Sequence, residues 1–227
     1  MLKINKIHNL DCLSGLKQLP DESINCCVTS PPYYGLRDYG LAPLKWPEIT
    51  YSILGFKVNI PEWTGDLGLE PDEKMFIGHL VYIFRETRRT MAKDGTLWLI
   101  IGDSYWGGKG KSGHGEYDSQ KLRYKMNSLN NPESHVGGKN KTRPTDRSHP
   151  TIKPKDLIGI PWMLAFALRA DGWFLRQDLI WNKSNPMPES VKDRCTKSHE
   201  YIFLLTKSKN ITLIMNRSPF LWLNMRE

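Results

Sequence analysis

The residues best placed to do chemistry stand together at Thr29-Ser30-Pro31-Pro32-Tyr33-Tyr34-Gly35. Two consecutive prolines carry no N–H, so they offer carbonyl oxygens without competing donors and hold them at a nearly fixed φ. Ser30 adds a hydroxyl oxygen and Tyr33 a flat aromatic face. Such a corner suits an exocyclic amino group on a nucleobase, which has two hydrogens to donate and a lone pair delocalised into its ring. Two acceptors set tetrahedrally around that nitrogen draw it towards sp³ geometry, localise the lone pair and aim it at an electrophilic methyl group. No strong general base is required. A base held in a duplex must leave its stack to arrive there, where Tyr33 or Tyr34 could hold it by ring stacking. The plain alternative is a rigid Pro-Pro turn with no chemistry.

The elements around the corner decide where it points. Ile24-Asn-Cys-Cys-Val-Thr29 is a short β-prone run that must stop at the prolines, which cannot continue a sheet ladder. Leu13, Leu16 and Leu19 after Asp11 predict a short helix closed by Pro20, so the opening reads strand, helix, strand. Pro71-Asp72-Glu73 starts a second helix whose apolar spacing runs to Met91, and Lys93-Asp94-Gly95 stops it. Leu97 to Ile101 reads as a buried strand. A helix over about Lys155 to Ala170 follows, stopped at Asp171-Gly172-Trp173, then strands at Trp173 to Trp181 and Tyr201 to Leu205. Alternation of this kind predicts an α/β, doubly wound, mostly parallel sheet covered on both faces, with ligands at the carboxyl edge of its strands.

Residues 107 to 150 differ. They hold seven Gly and nine Lys+Arg against four Asp+Glu, with six large apolar residues, and read as a basic Gly-rich insertion in one domain spanning 1–227. Gly108-Lys-Gly-Lys-Ser-Gly113 within it matches a dinucleotide-loop spacing, but no apolar-periodic helix follows to direct an N-terminus at phosphate. Over the whole chain of 227 residues the formal charge is +8, which favours an anionic partner. No stretch approaches the ~18 apolar residues of a membrane span, and the first residues lack a signal-peptide core, so a soluble cytoplasmic protein is expected. Cys12, Cys26, Cys27 and Cys195 show no C-x-x-C spacing and read as reduced core thiols; six scattered histidines give no zinc pattern, so no metal is expected.

Asn9-Leu-Asp11-Cys-Leu13, Thr29-Ser-Pro-Pro-Tyr-Tyr-Gly-Leu-Arg-Asp-Tyr39 and Asp178-Leu-Ile-Trp-Asn-Lys-Ser-Asn-Pro-Met-Pro-Glu-Ser-Val-Lys-Asp-Arg194 together resemble the β-group DNA amino-methyltransferases of bacteria and phages. The likeness spans roughly residues 3 to 207. It implies a Rossmann-like S-adenosylmethionine-dependent fold, with Ser30, Pro31, Pro32 and Tyr33 catalytic and double-stranded DNA as substrate in a restriction-modification setting. Ser at the first motif position resembles the N4-cytosine branch, whereas Asp is commoner in the N6-adenine branch. The resemblance gives Asp11 a role in binding S-adenosylmethionine; as a bare residue it reads equally as a helix N-cap. Tyr34, Lys183, Arg194 and Lys197 are candidate DNA contacts, the cations as phosphate ligands or as a merely solvated loop.

The family places a Gly-rich cofactor loop of the Asp-Pro-Phe-x-Gly-x-Gly type after these segments, and residues 210–226 do not resemble it. The expectation is an incomplete fold, cut short by a reading-frame shift near residue 210. A second chain would then supply the cofactor motif, and the alternative is an inactive DNA-binding remnant.

Overall fold

The computed structural model describes residues 3, 5–40, 42–107, 144–186 and 188–211. A helix α1 (Cys12–Lys17) leads into strand β1 (Ile24–Thr29). Four short strands follow, β2 (Leu44–Trp46), β3 (Ile49–Ile53), β4 (Phe56–Ile60) and β5 (Trp63–Gly65), then α2 (Glu73–Thr90) and β6 (Met91–Ile101). The described elements end with α3 (Ile160–Ala170), β7 (Phe174–Asn182) and β8 (His199–Thr206).

The central sheet has the order β1-β6-β8-β7. β1 and β6 are parallel and joined across α2, while β8 lies antiparallel to both β6 and β7. The expected α/β class stands, and among the described strands the pairing is mixed. The antiparallel pair arises because β7 returns into β8 through a loop at the same end of the sheet, with Lys183 N–H donating to Ser198 O at 2.8 Å. Leu97, Leu99 and Ile101 of β6 and Phe203 and Leu205 of β8 are fully buried against Phe76, Leu80 and Val81 of α2 and Leu164 and Leu168 of α3. Asp72 caps α2 through its side chain, accepting from Met75 N at 2.8 Å, as the Pro-Asp-Glu signal predicts.

Several expectations shift. No strand precedes α1 among the described residues; Ile7 is fully exposed, and Asp11 caps α1 by accepting from Ser14 N at 2.9 Å. α3 begins at Ile160 and not near Lys155, because Asp103, just past β6, takes the N–H groups of Gly159 (2.9 Å) and Ile160 (3.1 Å). Residues 155 to 158 instead pair back on Ser104 and Trp106. The thiols are free, but only Cys27 is even half-buried; Cys12, Cys26 and Cys195 are exposed. Cys26 shares one face of β1 with the exposed Val28, two residues on, and neither is covered by a described residue. The 108–113 glycine pattern lies outside the described residues.

Two ribbons between the Pro-Pro corner and α2 went unread in the sequence. β3 and β4 form a hairpin whose Ile53 and Phe56 flank a two-residue turn, Leu54-Gly55, both at positive φ. The buried Ile49, Tyr51 and Ile60 of this hairpin pack towards α2, where Ile60 Cδ1 lies within 2.5 Å of the position a Cβ on Gly78 would take. β2 pairs with β5, placing Trp46 opposite Trp63.

Candidate active site at the carboxyl edge of the sheet

β1 delivers Ser30 to the carboxyl edge of the sheet, exposed, followed by half-buried Pro31, Pro32 and Tyr33. The turn behind them is strapped in place. Gly35 N–H donates to Gly68 O at 2.8 Å, and Gly68, at φ +95°, leaves room for a Cβ only 3.2 Å from Tyr33 O and 3.4 Å from Pro32 Cβ. Gly68 N–H in turn donates to Glu70 Oε2 at 2.8 Å, and Glu70 Oε1 faces His79 Nδ1 at 2.9 Å. Both members of this pair are fully buried, and the imidazole stacks on Trp46 and Trp63 at 4.3 and 5.5 Å. Burial raises the Glu70 pKa above the ordinary carboxylate value, against the opposing hydrogen bond from His79. Ser104 Oγ–H donates to Tyr34 O at 3.0 Å and anchors the corner to the end of β6.

Tyr33 is clamped at ring and hydroxyl. Its ring lies over Gly102, where a Cβ would come within 2.5 Å of Cε2. Its hydroxyl donates to Glu200 Oε2 at 2.8 Å, and Ser30 Oγ–H donates to Tyr33 Oη at 3.5 Å. Glu200 is also paired with the Lys183 ammonium, which stands at the far end of the β7–β8 ladder. Burial, then the Glu200 carboxylate, pushes the Tyr33 phenol up to about 12. Burial would raise Glu200 as well, but hydrogen bonds from Lys183 and Tyr33 outweigh it and its pKa falls below the usual glutamate value. Gly102→Ala is expected to drive the Tyr33 ring from this seat at a cost of about 1–3 kcal/mol, read by urea unfolding together with displaced Tyr33 ring resonances.

The other predicted residues are distributed differently. Tyr34 is 1% exposed, its ring 5.4 Å from Phe76 and its hydroxyl directed to Glu70 O, so it packs inside the domain and not at the open edge. Lys183 is committed to Glu200. Arg194 bonds Glu189 and lies 4.0 Å over the Tyr105 ring, and Lys197 Nζ–H donates to Asp103 O at 3.2 Å. Burial lowers the Lys197 pKa. These cations fold their own loop onto the sheet edge. Lys192 and Arg37 are exposed. Sequence reading overlooked Glu200, whose signal was a lone acid heading an apolar strand, and the Glu70–His79 pair, for which spacing gave no cue.

The sequence matches the N6/N4 methyltransferase family of DNA methylases over residues 24–223. It is 44% identical to the Type II methyltransferase M.Cfr9I of Citrobacter freundii over 199 residues, 88% of this chain and 53% of that protein. It is likewise 44% identical to the Type II methyltransferase M.SmaI of Serratia marcescens, covering 88% and 54%. Among solved structures, the M1.HpyAVI–SAM complex aligns with a TM-score of 0.39 at 12% identity, covering 95% of this chain and 60% of that one. The chain spans about half the length of the curated relatives it matches. With 200 of its residues inside the family match and Ser30-Pro-Pro-Tyr33 at the sheet edge, the chain belongs to the N6/N4 family of DNA methylases.

Proposed function

We propose that this chain forms the base-binding half of a Type II DNA methyltransferase that moves a methyl group to the exocyclic amine of an extruded base, cytosine N4 in preference to adenine N6. The observation that carries the reading is Ser30, exposed beside proline carbonyls and the clamped face of Tyr33. Ser30 Oγ and the Pro31 carbonyl accept the two amine hydrogens, pyramidalise the nitrogen and stabilise positive charge as it develops there. Tyr33 stacks on the base, and its fixed ring lowers the entropy of capture. Among the described residues Asp11 fits S-adenosylmethionine in part: its exposed carboxylate is held in the charged form, first by hydrogen bonds from Ser14, the chemistry needed to accept from a hydroxyl or ammonium group. When bound, the cofactor supplies the electrophilic methyl.

Phosphate contact falls to exposed cations such as Lys192 on the β7–β8 loop, with Lys183, Arg194 and Lys197 shaping that loop. DNA affinity is expected to fall steeply with salt, and Lys192→Ala to reduce the slope of log K against log salt by about 1. A flat response in nitrocellulose or anisotropy titrations contradicts this. Among the described residues β1 has an unpaired outer edge, and Val28 on one of its faces is 67% exposed; both favour completion of the sheet and its cover by further elements, in the same polypeptide or a second one. The test is transfer of labelled methyl to duplex DNA by the chain alone and with a polypeptide covering the rest of a relative, the product nucleoside being identified by mass spectrometry. DNA binding without transfer in either case would support the remnant reading.

A further inference from the structure

A serine hydroxyl can donate or accept, and the chemistry proposed for Ser30 works only if it accepts. Its hydrogen must therefore point away from the incoming amine. In the structure it has a destination, the Tyr33 oxygen at 3.5 Å, a length that apo catalytic contacts commonly show before they tighten. The Tyr33 hydroxyl is itself spent on Glu200 at 2.8 Å. An ionised carboxylate has no hydrogen to give, so Tyr33 must donate to it, and the phenol oxygen is left to receive from Ser30.

We infer that Glu200, held by Lys183, sets the hydrogen-bond direction of the catalytic corner, so that the Ser30 lone pairs face the substrate amine. This rests on the amine-methylating reading of Ser30. Glu200 is a positioning residue: it acts through Tyr33. The groups facing it are Tyr33 from the β1 corner, Lys183 at the end of β7 and Lys197 from the β7–β8 loop, the last set between Asp103 and Glu189. Two cations close by keep it charged. A protonated Glu200 could donate back to Tyr33, reverse the line Ser30→Tyr33→Glu200 and turn the Ser30 hydrogen towards the amine. An aspartate at position 30 accepts by nature and needs no such director, so the dependence on Glu200 belongs to the serine form of the motif.

The experiment has a spectroscopic and a kinetic arm. In chain labelled with ¹³Cζ-tyrosine, with Tyr33→Phe assigning the resonance, Glu200→Gln should lower the Tyr33 titration midpoint, while burial still holds it above the ordinary phenol value. In methyl transfer by the chain, with the completing polypeptide if it is needed, Glu200→Gln should lower kcat about tenfold or more with the DNA KM unchanged. Lys183→Met should move the acid limb of the kcat profile to higher pH, because it removes the charge that holds Glu200 down. Ser30→Asp should make the rate insensitive to Glu200→Gln. The inference is overturned by an unmoved Tyr33 midpoint in a folded Glu200→Gln chain, or by a kcat penalty equally large in the Ser30→Asp background. Failure of the underlying activity reading looks different and takes this inference with it: there Ser30→Ala leaves the rate unchanged while the tyrosine titration still shifts.

Discussion

Replacing Ser30 by alanine is expected to lower kcat about 10²- to 10³-fold while DNA affinity stays within about twofold. The size follows from what the hydroxyl contacts at each stage. A neutral amine in the ground state gains little from an oxygen that is also reachable by water, whereas the same nitrogen carrying positive charge in the transition state gains a charge-assisted contact in a partly dried corner. The loss therefore appears in kcat and not in binding. Pro31 and Pro32 remain in place, so the variant retains its turn, and the exposed position of Ser30 leaves no packing defect to confuse the result. Single-turnover transfer separates chemistry from product release. A rate within threefold of the parent would remove Ser30 from the reaction.

Glu70→Ala is expected to cost about 3 kcal/mol of stability. The carboxylate satisfies Gly68 N–H and His79 Nδ1 at once, both in the interior, and His79 Nε2 already has no partner among the described residues. Without Glu70 the imidazole loses its hydrogen-bond partner between buried surfaces, and the Gly68 strap that rests on Pro32 and Tyr33 loses its anchor. Urea unfolding should show a lower midpoint at an unchanged m-value, with the Tyr33 resonances broadened. Glu70→Gln keeps an acceptor of the same shape and should cost less than half as much. A Glu70→Ala penalty under about 1 kcal/mol would mean that the pair does not support the corner.

Local rules read much of this molecule correctly. Apolar spacing and the Pro-Asp-Glu start located α2, an unbroken apolar run located the core of β6, and two prolines after a β-prone run placed Ser30 at the end of β1. Where the structure departs from local expectation, the cause is mostly a partner that spacing alone does not reveal. α3 starts late because a carboxylate 57 residues upstream captures Ile160 N–H. Tyr34 and Tyr33 are adjacent in sequence with opposite fates, and only the packing of Phe76 on one and the reach of Glu200 to the other separate them. Lys183, Arg194 and Lys197 looked like free cations because their acceptors, Glu200, Glu189 and Asp103 O, are assigned by the fold of the loop. The β3–β4 hairpin does have a local signal, since its alternating Ile49, Tyr51, Ile53 and Phe56, Val58, Ile60 around Leu54-Gly55 carry the period of a strand pair.

The position of β8 governs how the polypeptide matures during synthesis. Among the described strands it comes latest in the chain yet sits in the interior of the sheet, between β6 and β7. Until residues 199–206 emerge, β7 has no ladder to join among the described strands, of which the central sheet then holds only the β1–β6 pair. A nascent chain arrested before residue 199 should remain protease-sensitive throughout β7, and emergence of residues 199–206 should confer resistance on both strands in one step.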